Sequence, residues 1–119
     1  MSLTIATIAG PAITGSARAD GFLDGAYGSP DGCTYDRTGD SSGADDFLLL
    51  TDKGVTTSVS ACTFSGSPTA TATGFTIKAQ CESEDGDGPE EIATLQKSDN
   101  AYTVRFPDGT TLGPMPKCP

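Results

Sequence analysis

Apolar and polar residues alternate along Phe75-Thr76-Ile77-Lys78-Ala79-Gln80-Cys81-Glu82, so Phe75, Ile77, Ala79 and Cys81 share one face and their neighbours the other. Tyr102-Thr103-Val104-Arg105-Phe106 repeats the pattern. Period two with one wet face predicts half-buried β-strands. Val55 to Phe64 is rich in β-branched residues, and its apolar parity switches between Val59 and Phe64, which predicts a bulge. Phe47 to Thr51 is a continuous apolar run followed by Asp52-Lys53-Gly54, which reads as a buried strand, a tight turn and a return strand from Val55. Phe106-Pro107-Asp108-Gly109-Thr110 predicts a second hairpin, because Pro presets φ and Gly is free to take φ > 0. A third turn is expected at Ser98-Asp99-Asn100. Pro89 to Leu95 has a helical look but is too short for a helix to be more than marginal, and it reads as a strand after a loop.

Three segments read as loops: the polar, Gly-rich Asp36 to Asp46, the acidic Glu82 to Glu91, and the Ser/Thr/Ala/Pro-rich Ser65 to Gly74. The two acidic loops occupy similar places, each after a cysteine and before an apolar strand and a turn. The chain therefore divides into two loosely related halves, Cys33 to Cys62 and Cys81 to Cys118.

Composition narrows the function. The 119 residues contain no His and no Trp, which excludes Ser-His-Asp and Cys-His catalysis and the His-containing zinc motifs. The net charge of −9 argues against nucleic acid or an anionic membrane surface as partner. Residues Leu3 to Gly15 are uncharged and mostly small or apolar, and Ala17-x-Ala19 fits the small-residue rule for signal-peptide cleavage. A leader over residues 1–19 and a single domain over 20–119 are expected. The competing reading is an N-terminal strand at Leu3 to Ile8, because no basic residue precedes Leu3. The leader run is too short and too broken by Gly and Pro to span a bilayer. Export implies a periplasmic or extracellular location.

All four cysteines, Cys33, Cys62, Cys81 and Cys118, follow the leader, and an even number in a short exported chain predicts two disulfides. Spacings of 29, 19 and 37 include no close pair, which disfavours zinc or iron–sulfur ligation. The expected pairing is Cys33–Cys62 with Cys81–Cys118, one bridge per half. The rival, Cys33–Cys118 with Cys62–Cys81, would clamp the seam of a closed barrel. A symmetric turn near Pro68–Ala70 would, however, leave Cys62 and Cys81 offset by about 16 Å, beyond the reach of a disulfide.

The sharpest candidate site is Glu82-Ser83-Glu84-Asp85-Gly86-Asp87-Gly88, where clustered carboxylates on a Gly-rich loop have the character of a Ca²⁺ site. Placing Gly88 at position 6 of an EF-hand loop puts Ser83, Asp85 and Asp87 at positions 1, 3 and 5, but Thr94 then stands where a bidentate Glu is needed. Glu84, Asp85 and Asp87 are thus the candidate ligands of a Ca²⁺-dependent module, while a solvated acidic loop with no metal and no cofactor is the favoured reading. Asp36, Asp40, Asp45 and Asp46 form a second acidic group of the same kind. Paired-carboxylate hydrolysis needs no His, yet nothing in the sequence brings two particular acids together.

Gly25-x-Tyr27, the cysteines at 33, 62 and 81, and Asp108-Gly109 followed by Cys118-Pro119 resemble small exported four-cysteine β-proteins of Gram-negative bacteria. The resemblance implies an exported four-cysteine β-fold. By analogy with small exported barrels it also raises inhibition of a secreted hydrolase. The fold expected is all-β, a small antiparallel barrel or sandwich of about seven strands stapled by two disulfides. The expected function is non-enzymatic: a monomer, not inserted in a membrane, that binds a protein or small molecule.

Overall fold

In the computed structural model, residues 21–40, 43 and 45–119 are described. The leader region, including Leu3 to Ile8 and Ala17-x-Ala19, lies outside them. Eight strands form one antiparallel sheet in strict sequence order. They are β1 (Tyr27–Gly28), β2 (Leu48–Thr51), β3 (Gly54–Thr57), β4 (Ser60–Ala70), β5 (Gly74–Ser83), β6 (Gly86–Ser98), β7 (Ala101–Arg105) and β8 (Thr111–Pro116). One helix, α1 (Pro30–Thr38), links β1 to β2. The sheet is nearly closed as a barrel: Tyr27 bridges Lys117, and the Cys118 N–H donates to the Ala26 carbonyl at 2.8 Å. The count is eight strands rather than seven, because the two-residue β1 is too short to leave a periodic signal.

The three turns read from local chemistry are present. Thr51 pairs with Gly54 around Asp52-Lys53, and Ser98 pairs with Ala101 around Asp99-Asn100. Asp99 and Asn100 both take positive φ (53° and 67°), the conformation of a two-residue hairpin turn that Asn and Asp tolerate. The Thr110 N–H donates to the Asp108 carboxylate at 2.9 Å in the third. Pro89 to Leu95 is strand, as expected.

Elsewhere the loops shrink into longer hairpins. Ser65 to Ala70 belongs to β4, and the acidic segment is a β5–β6 hairpin with Ser83 opposite Gly86. Val59 lies between β3 and β4, so the parity switch between Val59 and Phe64 marks a turn. The bulge in β4 is further along, between Ser65 and Thr69, where Gly66-Ser67-Pro68 face the single residue Ile77. The barrel is one continuous meander, and no division into two halves is seen in the sheet order.

That bulge overturns the expected disulfide pairing. The chain reverses at Thr71 to Thr73 rather than near Pro68–Ala70, and the two extra residues of β4 shift the register to place Cys62 directly opposite Cys81. The bonds are Cys62–Cys81 and Cys33–Cys118. The second ties α1 to the segment after β8 across the seam.

Helix α1, which has no counterpart in the strand pattern, carries its own start and stop signals. Ser29 caps it, its Oγ accepting the Gly32 N–H at 3.1 Å; Pro30 fills the first turn; and Gly39, with φ 82°, ends it. The helix lies on the outer face of β1 and β2. Gly32 makes this possible, since a Cβ there would overlap the Leu48 carbonyl oxygen. The arrangement explains the unbroken Leu48-Leu49-Leu50 run: Leu50 is buried inside the barrel, while Leu49 points outward and is buried beneath the helix.

Candidate functional site

The acidic hairpin does not form a Ca²⁺ loop. Glu82 pairs with Asp87, the turn is only Glu84-Asp85, and Glu84, Asp85 and Asp87 are all exposed. From Asp87 the chain runs on as extended β6, so Thr94, opposite Thr76, lies about 20 Å further along the strand. Among the described residues, no three His, Cys, Asp or Glu side chains converge as a metal site. Asp36, Asp40, Asp45 and Asp46 are likewise exposed: Asp36 on α1, Asp40 just beyond its cap, and Asp45 and Asp46 before β2.

The barrel interior is packed. Tyr27, Leu50, Val55, Leu95, Val104 and Met115 are fully buried, and Phe64, Ile77, Ala79 and Ala93 pack with them. An eight-stranded barrel is just wide enough either to fill with side chains or to hold one small ligand, and this one is filled. The end formed by the β2–β3, β4–β5 and β6–β7 turns is also stoppered. Phe22 stacks edge-on against Phe75 at 5.1 Å and tilts against Phe64 at 6.4 Å, and Leu23 is buried. The Asp52 carboxylate holds this stopper, accepting the Gly21 N–H at 2.6 Å and the Leu23 N–H at 3.4 Å.

A polar cluster sits beside the stopper. The Tyr27 hydroxyl donates to Asp24 Oδ1 at 2.6 Å, and Lys117 Nζ donates to Asp24 Oδ2 at 3.3 Å. Lys97 Nζ lies 3.9 Å from the same oxygen and 5.9 Å from the centre of the Tyr102 ring, which meets Tyr27 edge-on at 4.8 Å. The Tyr27 hydroxyl and then Lys117 hold the Asp24 carboxyl below its ordinary value. Burial pushes both phenols up, with the Asp24 hydrogen bond adding to the effect at Tyr27. Every member of this cluster is engaged by another, so it reads as a fastening for the stopper and the seam.

Among the described residues, open concave surfaces lie outside the barrel. One of about 330 Å³ runs between α1 and the segment after β8. Pro30, Cys33, Thr34 and Arg37 form one wall, a single face of the helix at three- and four-residue spacing, and Pro116, Lys117 and Pro119 form the other. A second, of about 250 Å³, lies between the stopper and the β2–β3 turn. The larger groove has no sequence signature, because its walls come from opposite ends of the chain and meet only through the Cys33–Cys118 bridge, which spans 85 residues.

No protein-family model, curated protein or solved structure matches this chain. Function therefore rests on the geometry.

Proposed function

We propose that the chain is an exported, non-enzymatic binding protein that meets its small-molecule or protein partner on the outer surface of a filled barrel. The observation that carries this is the packed and stoppered interior: an apolar ligand has no room among Leu50, Leu95, Val104 and Met115. The two disulfides support export, since such bonds persist in oxidising compartments. No described helix is long and apolar enough to cross a membrane. The likeness to small exported four-cysteine β-proteins points the same way, and the absence of His leaves few routes to catalysis.

Two measurements test the reading. Expressed from its full sequence in a Gram-negative host, the protein is expected in the periplasmic fraction, with the mass of residues 20–119 and no free thiol. The uncharged apolar dye Nile red is expected to show no fluorescence gain with the native protein. Retention in the cytoplasm with reduced cysteines would refute export, and stoichiometric dye uptake would refute the filled interior.

A further inference from the structure

We infer that the groove between α1 and the segment after β8 binds a small amphipathic carboxylate, with Arg37 holding the carboxylate and the proline- and disulfide-lined walls holding its apolar body. The inference rests on the surface-binding reading above and names its ligand class. At about 330 Å³ the groove sits at the small end of the range that ligand sites occupy. Its lining combines apolar surface with a few polar groups, the mixture that fixes a ligand's orientation. Pro30, Pro116, Pro119 and the Cys33 sulfur supply the apolar surface, and Thr34 and Arg37 supply the polar groups. Prolines and a disulfide have little conformational freedom to lose, so the walls are ordered before any ligand arrives.

Charge selects the ligand. The protein carries seven Lys and Arg against sixteen Asp and Glu, yet two of those cations, Arg37 and Lys117, line this one groove. Lys117 is engaged by Asp24 at 3.3 Å. Among the described residues the exposed Arg37 takes part in no ion pair, so its guanidinium is available to a ligand in the groove. A planar guanidinium matches a planar carboxylate with two parallel hydrogen bonds. A single available charge suits a monoanion, whereas a phosphate dianion would face the field of a chain with net charge −9 with only that one group to hold it. The apolar walls then require a hydrocarbon or aromatic body on the acid.

The test is titration of the oxidised, full-domain protein with octanoate, followed by backbone amide chemical shifts. Saturable one-to-one binding is expected with Kd below about 5 mM, with shifts confined to Thr34, Arg37, Lys117 and Cys118. Octylammonium and octanol, which keep the tail but lose the anion, are expected not to saturate. Arg37→Gln is expected to weaken octanoate at least about tenfold with no change in melting temperature, since Arg37 is exposed, and Arg37→Lys to recover part of the loss. The inference is overturned by failure of octanoate to saturate, by equal binding of octanol, by an unchanged Kd in Arg37→Gln, or by binding of an apolar peptide's free C-terminus where octanoate fails. Those results leave the filled barrel intact, whereas Nile red uptake would remove the surface-binding reading itself.

Discussion

Cys62 and Cys81 face each other across the β4–β5 ladder with their Cα atoms 3.9 Å apart, and the two residues that β4 carries beyond β5 between the bridge and the turn are taken up by the bulge. The bulge takes up the surplus without disturbing the pairs on either side of it. Deleting two of Gly66, Ser67 and Pro68 is therefore expected to leave a regular ladder with Cys62 still opposite Cys81 and the bond intact by non-reducing peptide mapping, and free thiols or shuffled bonds would show that the bulge itself sets the pairing.

The two bridges differ in what they restrain. In the chain-entropy model the bond spanning 85 residues contributes about 4–5 kcal/mol and the one spanning 19 about 3 kcal/mol. A Cys33→Ala, Cys118→Ala double variant is expected to lose more stability in urea than Cys62→Ala, Cys81→Ala. No loss in the Cys33→Ala, Cys118→Ala variant would mean the seam is held by its hydrogen bonds alone.

Gly32→Ala forces a methyl group against the Leu48 carbonyl oxygen, a backbone atom that cannot swing aside. Overpacking of this kind typically costs about 1–3 kcal/mol. The expected result is a lower melting temperature together with greater exposure of Leu49, which the helix covers, detectable by faster amide exchange in β2.

Asp24 makes stability depend on pH at the acid end. Its carboxyl is held below 3.8 by the Tyr27 hydroxyl and then by Lys117, so the folded chain takes up that proton less readily than the unfolded one. The contribution is complete above about pH 4 and is lost as pH falls through the lower folded value. Wild type is expected to melt above Asp24→Asn at pH 7, with the gap closing as pH falls below about 4. At the alkaline end Tyr27 and Tyr102, raised above 10 by burial, contribute stability that is present below pH 10 and falls as pH rises past it.

Calcium is expected to have no effect. Glu84 and Asp85 form a two-residue turn with Asp87 just beyond it on the ladder, instead of wrapping a loop, and Thr94 lies far down β6. Melting temperature should not change on adding Ca²⁺ to about 1 mM, the weak end of protein calcium sites. A rise abolished by Asp87→Asn would show that the hairpin tip closes around the ion.

What the sequence disclosed was what is decided locally. Asp52-Lys53-Gly54, Asp99-Asn100 and Pro107-Asp108-Gly109 mark turns whose φ requirements are met by those residues themselves, and each turn is present. The alternation in Phe75 to Glu82 likewise survives as β5. What stayed hidden depends on distant residues or on polar strands. Apart from the Glu84-Asp85 turn, Glu82 to Glu91 lies in strands, as does Ser65 to Ala70, despite loop-like composition, because a hairpin that extends past its neighbours needs no apolar residues on either face. The nine-residue α1 has no strong apolar stripe, but Ser29-Pro30 at its start and Gly39 at its end were legible signals. The pairing Cys33–Cys118 and the groove it builds join opposite ends of the chain, and no short-range pattern encodes them.

The Cys33–Cys118 bond turns residues 33–118 into a covalent ring that contains every strand except β1. A protease that cuts once at any turn within that ring opens it without releasing a fragment, because the two pieces stay joined through sulfur. The same geometry makes the ring a natural candidate for circular permutation. New ends placed at Asp99-Asn100 or Asp108-Gly109, with the old ones joined near the bridge, would preserve the order in which the strands meet. Endurance after a first cut then depends on whether the surroundings remain oxidising enough to keep the Cys33–Cys118 bond.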